Sequence, residues 1–141
     1  MEASLSGPVT DTLTVVAGTV LLDPVVTADV AGVGRRPVGA VRQTVTASAD
    51  WRPAALPGVS FDANLNRVGR QTATVSNSVA IPPRTYLDVG GRYRFRLGGK
   101  AAVLRLQVEN LLDIEGFELY GAGAYRPVLG RAGQAYLTID L

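Results

Sequence analysis

The chain has 141 residues, of which 47% are hydrophobic and 18% are charged, with 14 Lys and Arg against 12 Asp and Glu. This is the size of one domain, and the apolar surface is large enough for the chain to fold, so the composition excludes a disordered chain. A net charge of +2 is too small to indicate a nucleic-acid-binding protein. Cys and His are absent, which excludes disulfide scaffolds, thiolate metal sites and histidine-dependent triads, and we predict no enzymatic activity, no metal and no cofactor.

The first half of the chain predicts four strands, because apolar and polar residues alternate with the period of two that places them on opposite faces. These strands cover residues 2–6, 13–22, 41–51 and 59–66. Both faces of the second strand are apolar, so its orientation stays open. The strands are joined by a short turn at 7–11, a long loop at 23–40 and a short turn at 52–58.

The central stretch, Thr85 to Asp113, predicts an antiparallel hairpin around Gly98-Gly99. The first strand has Leu87, Val89, Gly91, Tyr93, Phe95 and Leu97 on one face and Asp88, Gly90, Arg92, Arg94 and Arg96 on the other. The second has Leu104, Leu106, Val108 and Leu112 opposite Arg105, Gln107, Glu109 and Asp113. An apolar face backed by a charged face suits a wall between lipid and water.

The remaining segments complete a pattern of alternating short and long connections. Residues 71–83 and 114–133 are predicted as long loops, and residues 134–141 as the last strand. The count is seven strands and no helix, and every short turn lies at one end of the sheet. This asymmetry is typical of outer-membrane barrels, whose strands of about 10 residues cross a bilayer when tilted. The alternative is a soluble barrel or sandwich, with the apolar face inside, that binds a small ligand.

An open sheet of seven strands has two unpaired edges. In lipid each unsatisfied backbone group costs several kcal/mol, so the total is on the order of tens of kcal/mol. The sequence also shows no segment of the ~18 to 20 apolar residues of a transmembrane helix and, at its start, no signal-peptide pattern. We therefore expect this chain to be part of a larger wall.

Four motifs, in order, resemble the C-terminal end of a TonB-dependent outer-membrane receptor of the ferric-siderophore class. They are Arg36-Pro37-Val38-Gly39, Tyr86 to Phe95, Leu104 to Asp113 and the terminal strand Ala135 to Leu141. The run Val108-Glu109-Asn110-Leu111-Leu112-Asp113 is similar to the Asn-Leu-Phe-Asp signature of the family, with Leu112 at the Phe position. The last strand resembles the signal that the outer-membrane insertase recognises, with Leu141 in place of the usual Phe.

This resemblance implies that residues 1–141 are a C-terminal part of a transmembrane β-barrel of about 22 strands. A complete receptor of this kind is plugged by an N-terminal domain and imports ferric siderophores with energy from the TonB system. We expect this chain, without plug, TonB box or signal peptide, to be a truncated or split product that is inactive alone. Its partners would be outer-membrane lipid, the plug and missing strands, the TonB system and a ferric siderophore.

The resemblance also implies two groups of candidate site residues. On the long extracellular loops, cationic and aromatic side chains suit anionic or catecholate chelates, and these candidates are Arg35, Arg36, Tyr120, Tyr125 and Arg126. On the polar strand face, the candidates for facing the lumen and the plug are Asp88, Arg92, Arg94, Arg105 and Glu109. Ordinary solvation of loops and of cross-strand charge pairs is the simpler explanation for both groups. Trp51, Tyr93 and Phe95 are expected in an aromatic girdle.

Overall fold

A computed structural model describes residues 1–27, 29–121 and 123–140 and shows one antiparallel sheet of seven strands. The strands, in spatial order, are β1 (Glu2–Thr10), β2 (Leu13–Leu21), β3 (Gln43–Trp51), β4 (Val59–Val68), β7 (Arg84–Leu97), β8 (Lys100–Glu109) and β11 (Ala132–Ile139). The described residues contain no helix with the length and apolar character needed to cross a membrane. The predicted all-β antiparallel meander is confirmed.

The connections alternate in length as the sequence indicates. The short ones, 11–12, 52–58 and 98–99, lie at one end of the sheet, and the long ones, 22–42, 69–83 and 110–131, lie at the other. Gly98 and Gly99 have φ values of 59° and 84°, the left-handed conformation that a two-residue hairpin turn needs at both positions. We call the two ends of the sheet the short-turn end and the long-loop end.

Two of the long loops contain small hairpins that the sequence analysis missed. β5 (Gln71–Thr72) pairs with β6 (Ala80–Ile81), and β9 (Phe117–Gly121) pairs with β10 (Ala124–Pro127). The prediction of unstructured loops is therefore wrong at these positions. Strands of two to five residues are too short to show a clear alternation, which is why the pattern did not reveal them.

The predicted boundaries of β1 and β8 need correction. β1 continues through Pro8 to Thr10, because proline is tolerated on an edge strand where its missing N–H is not needed. β8 ends at Glu109, since Asn110 turns the chain with a φ of 49°. The predicted strand positions of Leu112 and Asp113 are therefore wrong. Leu141, the predicted end of the last strand, lies outside the described residues.

The register gives the sheet one polar and one apolar face, and it settles the orientation of β2. Val16 is paired with Ser6 and Ser48, so the even-numbered residues of β2 lie on the polar face. Directly opposite residues in neighbouring strands share a face. The polar face therefore contains Thr46, Ser48, Asp50, Asp62, Asn64, Asn66, Asp88, Arg92, Arg105, Gln107 and Gln134.

The apolar face is not covered by any other described part of the chain. Leu5 is 64% exposed and Leu137 is 55% exposed, although both are in the middle of strands. The buried apolar residues among those described are Ala73, Ile81 and Ala102, and the first two belong to the loop layer. A soluble barrel would enclose its apolar face. The open sheet therefore gives no support to the alternative of a soluble barrel or sandwich.

Candidate functional site

An ion-pair network crosses four strands, β3, β4, β7 and β8, on the polar face near the short-turn end. Arg105 on β8 donates two hydrogen bonds to Asp62 on β4, from Nη1 to Oδ1 and from Nη2 to Oδ2, both at 3.1 Å. Arg92 on β7 lies 3.3 Å from Asp62 Oδ1 and 3.9 Å from Asp50 Oδ2. Asp50 and Asp62 are directly opposite each other, so Arg92 offsets a like-charge pair.

The Arg105–Asp62 pair forms because Gly90 leaves room for it. Gly90 is paired with Asp62 across β4 and β7 and with Gln107 across β7 and β8. A Cβ atom at Gly90 would lie 2.8 Å from Asp62 Oδ2, so any side chain there would displace the carboxylate. The Asp62 side chain is only 13% exposed, and this limited access to water strengthens its bidentate pairing.

The Asn-Leu-Leu-Asp run fastens both ends of the loop 110–131. Asn110 is 7% exposed, and its Nδ2 donates to the carbonyl oxygens of Ile114 at 3.0 Å and Leu129 at 2.9 Å. Its own backbone N–H donates to Asp88 Oδ1 at 2.8 Å. Asp113 accepts from the backbone N–H of Arg131 at 3.0 Å. The signature residues thus hold the loop, and the Asp88 carboxylate is used within the chain.

The three long loops form one layer held by hydrogen bonds. Asn77 is bound to Arg36 in both directions, since its Oδ1 accepts from the Arg36 N–H at 2.8 Å and its Nδ2 donates to the Arg36 carbonyl at 2.9 Å. The Tyr125 hydroxyl donates to the carbonyl of Ala73 at 3.2 Å. Arg84 donates to Gln71 Oε1 at 3.1 Å and to the carbonyl of Phe117. The layer therefore connects residues that are far apart in sequence.

A cationic pocket of about 360 Å³ lies in this loop layer. Three arginines line it, Arg36, Arg42 and Arg70, together with Thr72 and Asn77. Asp23 offsets part of the charge, because its Oδ1 lies 3.4 Å from Arg42 Nε and 3.9 Å from Arg36 Nη1. The remaining positive charge suits an anionic ligand.

The sequence analysis found one of the three pocket arginines. Arg36 was predicted, and Arg42 and Arg70 were missed because they lie just outside strands β3 and β4 and meet Arg36 only through loop folding. Arg35 is exposed, its carbonyl accepts from the backbone N–H of Val26, and it does not line this pocket.

A second pocket, of about 670 Å³, lies beneath the β9–β10 hairpin. Glu118 accepts hydrogen bonds from Arg126 Nε at 3.0 Å and from the Tyr86 hydroxyl at 3.1 Å. Burial would raise the pKa of Glu118, but these two hydrogen bonds and the nearby arginine charges outweigh it and hold its pKa below the ordinary value. The Arg126 guanidinium also lies 5.8 Å from the centre of the Tyr120 ring. The described residues contain no acidic cluster suited to a metal ion.

Four aromatic rings lie on the apolar face at the short-turn end. Trp51 and Phe61 are directly paired, with ring centres 5.6 Å apart, and Tyr93 and Phe95 stack at 5.2 Å. Trp51 is 47% exposed and Tyr93 is also 47% exposed. Phe61 was not among the predicted girdle residues, but the register places it beside Trp51.

Comparison with solved structures finds BauA, the ferric preacinetobactin receptor from Acinetobacter baumannii, with a TM-score of 0.85 and 23% sequence identity. The predicted resemblance is confirmed at the level of the fold. The match covers 98% of this chain and 21% of BauA, so the chain spans about one fifth of that receptor. No family model and no curated protein matches the chain.

Proposed function

We propose that residues 1–141 form part of the barrel wall of a TonB-dependent outer-membrane receptor that takes up ferric siderophores or similar chelates. The observation that carries this proposal is the open seven-stranded meander, which superposes on BauA over 98% of the chain. The separation of short and long connections to opposite ends agrees with this architecture.

In this proposal the apolar face contacts outer-membrane lipid and the polar face lines the lumen. β2 and β3 each have 9 residues, and β4 and β8 each have 10, which matches the roughly 9 to 11 residues of a tilted membrane-crossing strand. The four aromatic rings then lie where the wall meets the membrane interface. Arg92 and Arg105, both paired with Asp62, then lie on the lumen side.

The unpaired edges of β1 and β11 require further strands, which the remainder of the receptor would supply. The plug domain and the TonB system would act through that complete receptor, so the chain is not expected to transport alone. Asp88, Arg92, Arg94, Arg105 and Glu109 share the face that would be turned toward the plug.

The cationic pocket is the best candidate for contact with an anionic ferric chelate. Arg36, Arg42 and Arg70 converge there at the long-loop end, which would face the outside of the cell. Tyr120, Tyr125 and Arg126 are exposed on the neighbouring hairpin. Aromatic rings and guanidinium groups at such a mouth suit ring-containing, negatively charged chelates.

The depth of Trp51 in a bilayer tests the wall assignment, because it is the only tryptophan in the chain. A complete receptor barrel that contains this segment, with all tryptophans outside the segment replaced by phenylalanine, is folded into phosphatidylcholine vesicles whose acyl chains carry bromine at a shallow or a deep position. We expect shallow bromine to quench Trp51 most strongly, and deep bromine to quench a Trp51→Phe, Val89→Trp variant most strongly. Equal, weak quenching at both depths, with emission typical of water, would overturn the proposal.

A further inference from the structure

Gln71 lies between two residues of the cationic pocket, and its side chain extends away from the pocket. Arg70 and Thr72 both line the pocket, whereas Gln71 does not. Successive side chains of a strand alternate in direction, so the Gln71 side chain in β5 lies on the side opposite to that of Thr72. Thr72 itself is only 7% exposed. A contact that holds Gln71 from behind therefore also fixes the two neighbours that line the pocket.

Arg84, the first residue of β7, holds Gln71 from behind. Its Nη2 donates to Gln71 Oε1 at 3.1 Å, its Nη1 donates to the carbonyl of Phe117, and its Nε is buried. Gln71 Nε2 in turn donates to the carbonyl of Gly39 at 3.3 Å. One chain of hydrogen bonds thus runs from the loop 22–42 through β5 and β7 to the β9–β10 hairpin.

The same contacts fix where Arg42 and Arg70 lie relative to each other. Gln71 forms a backbone bridge with Val41, so each of these two arginines is next in sequence to a residue of the bridge. The third arginine of the pocket is held separately, by its two hydrogen bonds with Asn77. Because like charges repel, arginines that line one pocket keep a fixed spacing only where the chain holds them.

We propose that Gln71 and Arg84 are positioning residues that make the cationic pocket selective for an anion with three carboxylates over one with two. This inference rests on the proposed function, which takes the pocket as the site of an anionic chelate. The pocket volume of about 360 Å³ is at the lower end for small-molecule sites and suits a compact polycarboxylate. Three arginines at a fixed spacing match three carboxylates, and such preorganised groups lose little freedom when the anion binds. Without the Arg84 contact, Arg42 and Arg70 can shift, and the match to the third carboxylate is lost.

Binding of tricarballylate and glutarate, which differ by one carboxylate, tests the positioning role. A complete receptor barrel that contains this segment is titrated with each anion in zwitterionic detergent. We expect the parent to bind tricarballylate about fivefold more tightly than glutarate, the effect of one further hydrogen bond to a charged group. Gln71→Met and Arg84→Met should each lower this ratio by about threefold, and the double variant should lower it no further, because the two residues act as one unit.

Two further variants separate positioning from charge. Arg84→Lys keeps the positive charge, but an ammonium group cannot join two acceptors as the planar guanidinium does, so this variant should also lower the ratio. Arg67→Met is the matched control, because it removes an arginine whose Nη1 donates to Thr85 on the opposite face of the sheet. We expect Arg67→Met to leave the ratio unchanged.

Four results would overturn the proposal. These are a parent ratio near one, a parent-level ratio in folded Gln71→Met or Arg84→Lys, an equal fall of the ratio in Arg67→Met, and additive falls in the double variant. Far-ultraviolet circular dichroism confirms that each variant is folded. Arg36→Gln is a separate readout. If it weakens tricarballylate binding while the Gln71 and Arg84 variants keep the parent ratio, the positioning role fails and the pocket remains the site.

Discussion

Replacing Gly90 by alanine tests whether the Arg105–Asp62 pair across β7 stabilises the sheet. The added Cβ would lie 2.8 Å from Asp62 Oδ2 and 3.1 Å from Oδ1, so the carboxylate must move away from Arg105. Gly91, the next residue, is on the opposite face, and a Cβ there would meet Phe61 at an ordinary contact distance of 3.6 Å. The chain thus offers a matched control in the adjacent position.

The expected cost follows from the bonds that Gly90→Ala breaks. A hydrogen bond to a charged group contributes about 1.5 to 3 kcal/mol when it is well buried. The Arg105 side chain is 26% exposed, and solvent screening lowers the value of the two bonds together to about 2 kcal/mol. Alanine lowers the conformational entropy of the unfolded chain, and this raises the free energy of unfolding by about 0.5 to 1 kcal/mol. We expect a net destabilisation of about 1 to 1.5 kcal/mol for Gly90→Ala, and for Gly91→Ala a change of about zero or a slight gain.

Urea unfolding of the chain in micelles, followed by the emission of Trp51, measures both variants. In an Asp62→Ala background the clash disappears, and Gly90→Ala should then cost nothing. The reasoning is refuted if Gly91→Ala is as destabilising as Gly90→Ala. It is also refuted if the cost of Gly90→Ala is the same with and without the Asp62 carboxylate.

Three further predictions concern the faces and the loop layer. In a full barrel that carries this segment, Val89→Arg places a charge on the apolar face and should cost ~2 to 4 kcal/mol if it lies near the bilayer midplane, whereas Val16→Arg on the polar face should be tolerated. Unfolding of that barrel from vesicles measures both variants, and equal costs would contradict the assigned faces. Arg36→Gln should weaken binding of ferric citrate to the folded chain and Arg35→Gln should not, as measured by equilibrium dialysis; the same loss in both would remove the pocket as the site. The pKa of Glu118 is lowered in the folded chain, so ionised Glu118 stabilises the folded chain above the ordinary glutamate pKa, and this stabilisation is lost as the pH falls through the lowered value. The urea midpoint should therefore drop in that pH range in the parent chain, and drop less in Glu118→Gln. Identical pH profiles of the two chains would contradict this.

The strands and their faces could be predicted from the sequence because a period of two is a local property. The alternation from Leu87 to Leu97 and the Gly98-Gly99 turn carry most of that information. The extension of β1 through Pro8 has no local cause, since Pro8 is tolerated only because β1 is an edge strand. Edge position depends on the whole sheet and is invisible in the residues around Pro8.

The site could be predicted only in part, because loop folding decides which residues meet. Arg36 and Arg70 are 34 positions apart in the sequence, and the contacts of Asn77 bring their loops together. The role of Gly90 likewise depends on Asp62 and Arg105, which come from strands on either side of β7. Neither arrangement has a signature within a short window of residues.

The most direct test of the wall assignment is the state of the purified 141-residue chain in plain buffer and in detergent. The bare apolar face and the open edges predict aggregation in buffer, with strand-rich circular dichroism appearing only when detergent covers that face. A monodisperse chain that melts cooperatively in buffer without detergent would contradict the account, since the apolar face would then have to be buried within the protein itself.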